Sequence, residues 1–174
     1  MKTIITKILV LLSIILVSSQ LYAQEKINKL EIEGDKVEVV TSKSMTADVS
    51  GALSTGETVT TECYQGMCYV TIDYKGRKVT APIGDRITVA QVYEYDFGGD
   101  GDKELIVVND YKGSSVLYVF AYSRGIIQKL YEKEIFNNKT VVKPNYIEFY
   151  LPRGLDTIWH YYQGIFWQMK EVSF

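Results

Sequence analysis

A nine-residue acidic segment carries the side chains of this chain that are best placed for chemistry. Its carboxylates stand at segment positions 1, 5, 7 and 9, with glycine at position 6; they belong to Asp96, Asp100, Asp102 and Glu104. Four negative charges this close repel one another unless a cation lies among them. Oxygen ligands at alternating loop positions are how short loops hold calcium, whereas magnesium prefers fewer protein ligands. The segment, called the acidic loop below, predicts a calcium site with these four ligands.

The alternative is an acidic surface turn, because Asp and Gly are also good turn formers. The loop leads straight into Leu105-Ile106-Val107-Val108, which shows no polar alternation and therefore predicts a strand buried on both faces. An ion in the loop would then be tied to the core. No nucleophile or base stands nearby, so the predicted role of calcium is structural.

The acidic loop and its flanks resemble the calcium-binding blade repeat of the FG-GAP and VCBS families. That repeat reads roughly Asp-x-Asp/Asn-x-Asp-Gly-x-x-Asp/Glu-Leu before a hydrophobic strand. Asp96 matches the first ligand, Asp100-Gly101 match the Asp-Gly pair, and Glu104-Leu105 match the closing acid and its apolar neighbour. The resemblance covers about residues 89–122 in a single copy, and it implies a blade-like sheet that binds calcium.

Two positions depart from the family pattern. Gly98 stands where a side-chain ligand is expected, and Asp102 stands where the family typically offers a backbone carbonyl. A missing ligand weakens binding or leaves its place to water. A closed propeller needs about four or more blades, for which the chain is too short, so the resemblance does not imply closure.

The sequence offers few residues that could take part in catalysis. His160 is the only histidine, which excludes a multi-histidine zinc site, and it lies within an aromatic strand-like run rather than in a loop. No set of residues meets the requirements of an active site, so we expect a protein that is not an enzyme. Carboxylate pairs for glycoside cleavage leave a small secreted hydrolase as an outside alternative.

The N-terminal residues predict export. Lys2 and Lys7 precede an apolar run from Ile8 to Val17, and a small residue, Ala23, ends the segment before Gln24. This is the pattern of a secretory signal peptide over residues 1–23; a membrane anchor is the alternative, but the run is short of the ~20 residues needed to span. We expect a single domain over residues 24–174, periplasmic or secreted.

Net charge and hydropathy limit the classes of partner that the chain is expected to bind. Removal of the two lysines of the signal peptide takes the net charge from −2 to −4. A weakly acidic protein has no electrostatic reason to bind nucleic acid. No later segment is long and apolar enough to span a bilayer, so no membrane insertion is expected after signal cleavage.

The two cysteines indicate a hairpin. Cys63 and Cys68 flank Tyr64-Gln65-Gly66-Met67. If Gln65-Gly66 is a two-residue turn, the cysteines form a cross-strand pair that exchanges no hydrogen bonds, at Cα separations of ~4.5–5.5 Å. Export exposes them to an oxidising compartment, so we expect a Cys63–Cys68 disulfide.

The remaining pattern is all-β. Runs of β-branched and aromatic residues are punctuated by glycine at short intervals, with no helix signature. We expect an antiparallel meander of hairpins, propeller-blade-like or a β-sandwich. Val116–Tyr122 lacks polar alternation and reads as a second central strand, whereas Ser42–Thr58, rich in Ser, Thr, Gly and Ala, reads as a long loop or irregular edge.

A predicted hairpin around Gln163-Gly164 offers two faces. The face assigned to the core carries Ile158, His160, Tyr162, Ile165, Trp167 and Met169. The other face mixes three aromatic residues with polar ones, the composition of an interface, and gives Trp159, Tyr161 and Phe166 as predicted binding residues. Packing of this face against a second sheet is the alternative.

The function expected from the sequence is binding, without catalysis, by an exported domain stabilised by calcium. A periplasmic inhibitor or immunity protein, with a toxin or hydrolase as its protein partner, is one form of this role. An adhesion or glycan-recognition module is the alternative, since FG-GAP-like repeats often serve such ends.

Overall fold

A computed structural model describes residues 30–42, 49–85, 89–111, 114–123, 125–135 and 139–171. The predicted signal peptide lies outside these residues. Within them, every regular element is a strand, which confirms the all-β prediction. The strands are β1 Leu30–Ile32, β2 Lys36–Ser42, β3 Val49–Ala52, β4 Thr58–Tyr64, β5 Met67–Tyr74, β6 Arg77–Pro82, β7 Val89–Tyr95, β8 Glu104–Tyr111, β9 Ser114–Ser123, β10 Ile126–Ile135, β11 Lys139–Lys143, β12 Tyr146–Leu151, β13 Gly154–Tyr162 and β14 Ile165–Glu171. In the part of the chain described here, no helix is long and apolar enough to cross a membrane.

The strands form three sheets, which follow one another along the chain from β3 to β14, while β1 and β2 join the C-terminal and central sheets. The N-terminal sheet has the order β3-β4-β5-β6, the central sheet β10-β9-β8-β7-β2, and the C-terminal sheet β1-β11-β12-β13-β14. Neighbours pair antiparallel except β1 and β11, which are parallel. Three successive meanders of this kind agree with the expected hairpin architecture.

The central sheet is buried on both faces. Leu105 and Val107 pack with the N-terminal sheet, whereas Ile106 and Val108 pack with the C-terminal sheet. Strand β9 repeats this division, with Phe120 on the first side. Side chains of a strand point alternately to opposite faces, so a strand covered on both sides has no polar alternation. The prediction that these two runs are central strands is confirmed.

The turns behave as their sequences predict. Gln65 and Gly66 have φ values of 50° and 80°, and Gln163 and Gly164 have 50° and 79°, as two-residue turns between twisted strands require. The pairing of Cys63 with Cys68 follows, and the two are joined by a disulfide with Cα atoms 4.0 Å apart. The expected disulfide is confirmed.

Of the two alternatives for Ser42–Thr58, a long loop or an irregular edge, the structure favours the edge, although residues 43–48 lie outside the described residues. Val49–Ala52 forms strand β3, which pairs with β4 at the edge of the N-terminal sheet. Close packing explains one of its small residues, Gly51. A Cβ atom on Gly51 would lie 1.8 Å from the backbone oxygen of Val39 in β2, so only glycine lets these strands approach.

The first two strands join two layers. β1 pairs with β11 of the C-terminal sheet, and β2 pairs with β7 of the central sheet. Between them, the Glu33 N–H donates to the Val142 oxygen (2.8 Å), and the Tyr95 hydroxyl donates to the Glu33 oxygen (2.8 Å). This short segment therefore links the two sheets by hydrogen bonds, in addition to the hydrophobic cluster between them.

We predict that Gly51→Ala destabilises the protein by about 3 kcal/mol, because the added methyl group would meet backbone that cannot rotate away. Urea unfolding followed by tryptophan fluorescence measures the change. Gly98→Ala is the control, since its Cβ would meet only the Asp100 carboxyl at 3.4 Å. Equal stability of the two variants would contradict the close approach of β2 and β3.

Candidate functional site

Asp96 organises the acidic loop from within. Its Oδ1 accepts a hydrogen bond from the Gly99 N–H (2.6 Å) and its Oδ2 accepts one from the Gly101 N–H (2.9 Å). Asp100 and Asp102 lie exposed on the rim, where the Asp102 N–H donates to Asp100 Oδ1 (3.0 Å). The turn is therefore closed by hydrogen bonds between its own carboxylates and its own backbone.

Glu104 points away from the rest of the loop. It is the first residue of β8, is 5% exposed, and lies on the side of the strand that packs against the C-terminal sheet. The Tyr161 hydroxyl donates to its Oε1, and the Phe97 N–H donates to its Oε2 (3.3 Å). Burial raises the pKa of the Glu104 carboxyl; the two hydrogen bonds oppose the rise, and the negative charge of Asp100 adds to it.

Phe97 fixes the loop to the core. Its side chain is fully buried, with ring centroids of Tyr95, Tyr161 and Phe166 at 4.8, 5.4 and 5.2 Å. Its backbone oxygen accepts a hydrogen bond from the Asn145 N–H (2.9 Å) in the β11–β12 turn. Sequence reasoning missed this role, although Phe97 is the one apolar residue between Asp96 and Glu104. A lone aromatic residue in a charged loop was the available signal.

The four predicted calcium ligands are not arranged as a ligand set. Glu104 is directed into the protein interior, and both Asp96 oxygens are bonded to loop N–H groups. Among the residues described, no group of three or more His, Cys, Asp or Glu side chains could hold a metal ion. Calcium binding stays a prediction from the spacing of the loop.

The acidic loop forms one wall of a cleft of about 450 Å³, whose other walls include the turns before β4 and between β13 and β14. Glu94, buried at its base, accepts hydrogen bonds from the Ser54 N–H and hydroxyl, both 2.8 Å. The Thr55 hydroxyl donates to the buried Glu57, and Lys103 Nζ donates to Ser54 Oγ (3.3 Å). The buried carboxylates of the cleft thus stabilise its turns.

The predicted binding residues lie in the core. Tyr161 is 7% exposed, and Trp159 and Phe166 are partly buried against the same hydrophobic cluster. Tyr131 of the central sheet contacts them, with its ring centroid 5.0 Å from Trp159 and 5.1 Å from Phe166. This corrects the assignment made from the sequence: the face expected to bind packs against the central sheet, and the face expected to be core points outward.

The outward face is aromatic and apolar. We call it the outer aromatic face; its members are Tyr146, Ile158, His160, Tyr162, Ile165, Trp167 and Met169. Pairing places Tyr146, His160 and Trp167 in one row across three strands, with ring centroids 5.0 and 4.7 Å apart. Tyr162 joins the row at 6.3 Å from Trp167. Rings held side by side in this way form a preorganised contact surface.

Comparisons with family models, with curated proteins and with solved structures found no match. The resemblance to the FG-GAP and VCBS repeats therefore remains one of loop residues and spacing.

We predict that Glu104 makes stability depend on pH. Because its pKa in the folded protein lies above the ordinary value of 4.5, its contribution is full below that value and is lost as the pH rises through the folded pKa. In Glu104→Gln this dependence disappears. The free energy of unfolding, measured in urea from acidic to neutral pH, should fall with rising pH more steeply in the unmodified protein than in the variant.

Tyr161→Phe serves as the companion variant. Loss of its hydrogen bond removes a contact that lowers the Glu104 pKa. The pH range over which the contribution of Glu104 to stability is lost should therefore move to higher pH. Parallel curves for all three proteins would show that the buried carboxyl does not titrate differently on folding.

We predict that Asp96→Ala lowers the melting temperature in buffer that contains a chelator, because the variant loses hydrogen bonds from Gly99 and Gly101. Hydrogen bonds to a charged group contribute about 1.5–3 kcal/mol each. Asp102→Asn, at an exposed position, is the control. A loss for Asp96→Ala that appears only with added calcium would instead support the metal site predicted from the sequence.

Proposed function

We propose that this chain is a protein-binding module whose contact surface is the outer aromatic face. The observation that carries the proposal is the exposure of four large side chains on adjacent strands. Tyr162, Ile165, Trp167 and Met169 are 56, 63, 41 and 56% exposed. Contiguous exposed apolar side chains of this kind, rimmed by polar residues, mark interaction surfaces in soluble proteins.

The rest of the same sheet surface supplies a polar rim. Beside the aromatic row, the outward side chains of β1, β11 and β12 include charged residues that pair with each other. Lys139 contacts Glu31 (2.7 Å), and Lys143 contacts Glu148 (3.0 Å). An apolar centre beside a polar rim is the usual anatomy of a protein interface.

The three sheets form a stack of layers with the central sheet in the middle. The outer face of the N-terminal sheet can therefore be compared with the outer aromatic face at the other end. Away from the β4–β5 hairpin, where Tyr64 and Met67 are exposed, the outward side chains of the N-terminal sheet are chiefly polar; on β4 they include Thr58, Thr60 and Glu62, and on β6 Lys78 and Thr80. That face has the composition of a sheet surface in contact with water. The two outer faces occupy equivalent places in the stack, so their difference reflects what each contacts rather than what the fold requires.

The chemistry of the face favours a protein over a glycan. Aromatic residues and methionine are enriched at protein interfaces. Ile165 and Met169 present hydrocarbon and thioether surface with nothing to offer sugar hydroxyls. The proposed role is therefore occlusion or capture of a protein, as an exported inhibitor or immunity protein would perform, with glycan recognition as the second candidate because of the aromatic row.

The test compares binding by matched variants. The immobilised chain is exposed to the exported proteins of its producing cells, and retained partners are identified and titrated. We predict that Trp167→Ser weakens the binding of a genuine partner by about thirtyfold or more, because a tryptophan buried at the centre of an interface is commonly a hot spot. Tyr64→Ser is the control, since Tyr64 is 66% exposed at the β4–β5 hairpin, away from this face.

A partner that survives Trp167→Ser but not Tyr64→Ser would overturn the proposal. Retention of a polysaccharide that depends on Trp167 would favour the glycan-binding alternative. Melting curves of both variants establish that each remains folded.

A further inference from the structure

The last strand leaves one edge of the C-terminal sheet open. β14 has β13 on one side and, among the residues described, no strand on the other. From Ile165 to Met169 it carries no charge and no proline. An exposed strand edge offers a row of N–H and C=O groups that readily pair with another strand.

The other sheet edges carry the features that prevent such pairing. β1 and β3 are only three and four residues long. Charged residues or proline stand along the three remaining edge strands: Lys36 and Glu38 on β2, Arg77, Lys78 and Pro82 on β6, and Lys129, Glu132, Lys133 and Glu134 on β10. Short length, charge and proline are how soluble proteins protect edges. Over its first five residues, β14 alone of these edges lacks all three; a register shift follows at Met169, and the strand then ends in Lys170 and Glu171.

The hydrogen-bond alternation of β14 fixes what it can pair with. Ile165 and Tyr162 flank a two-residue turn, and such a pair exchanges hydrogen bonds. Pairs along an antiparallel ladder alternate, so Trp167 bonds to β13, whereas Phe166 and Gln168 direct their N–H and C=O groups to the open edge. An incoming strand must bond to these two residues.

We infer that β14 pairs antiparallel with β14 of a second copy of this chain, across a twofold axis at Trp167. Phe166 of each copy then bonds to Gln168 of the other, which satisfies the four open-edge groups of these two residues. Trp167 faces Trp167 of the other copy as a pair that exchanges no hydrogen bonds, and Ile165 lies opposite Met169, the residue at which the register of β14 with β13 shifts. Every outward pair is apolar, so the strand is complementary to itself, as a twofold interface requires.

The inference rests on the sheet edge and does not depend on the partner proposed above. It would join two C-terminal sheets into one of ten strands, with two outer aromatic faces side by side. Two linked contact surfaces would raise the avidity for any partner with repeated sites.

Sedimentation equilibrium over a concentration series tests the association. Gln168→Pro removes the N–H that faces the open edge and leaves the β13 ladder intact, so the dimer should weaken by about tenfold or more. Gln168→Ala keeps that N–H and should dimerise like the unmodified chain. A melting curve for Gln168→Pro checks that the variant is folded.

Cysteine substitution tests the register. Trp167→Cys places two thiols at a pair with Cα atoms ~4.5 Å apart, so oxidation should yield a disulfide-linked dimer. Ile165→Cys lies opposite Met169 and should yield none. The described part of the chain has no free cysteine to interfere. A chain that stays monomeric at every concentration, or cross-links equally well from both positions, would overturn the inference.

Discussion

Burial of the central sheet on both faces is the constraint on which this structure depends. A sheet whose strands are apolar on both sides needs two covering layers, and the chain provides one before it and one after it. Strands β1 and β2 connect the central and C-terminal layers. The acidic loop takes its position from the same constraint, since Phe97 and Glu104 at its two ends both turn toward the C-terminal sheet.

This arrangement gives the loop carboxylates unequal roles. Asp96 closes the turn and Glu104 enters the core, so only Asp100 and Asp102 present free charge on the rim. A loop held by internal hydrogen bonds and an aromatic anchor keeps its shape through the protein's own contacts. Burial of Glu104 with a raised pKa is the cost of that anchorage, offset by the hydrogen bonds from Tyr161 and Phe97.

The sequence predicted the elements and their register better than the direction of their faces. A two-residue turn at Gln163-Gly164 implies the pairs Tyr161–Phe166 and His160–Trp167, and both are present. It also implies the pair Ile158–Met169, which is wrong, because the register shifts and Ile158 pairs with Lys170. Alternation could not decide which pair faces inward, because both faces of the hairpin are aromatic. That choice depends on residues far along the chain, chiefly Phe97 and Tyr131, which pack on one face only. Spacing alone likewise could not show that Glu104 turns inward.

The stack therefore ends in two chemically different surfaces. Water solvates the threonines of the N-terminal sheet at little cost, whereas each half-exposed apolar side chain forgoes part of the ~1.5–3 kcal/mol that full burial contributes. Trp167 and Ile165 both lie on the outer aromatic face and beside the open edge of β14. One partner could therefore cover the exposed apolar side chains and also pair with the backbone groups of that edge. Contact with a partner protein is the role that we propose for these exposed side chains.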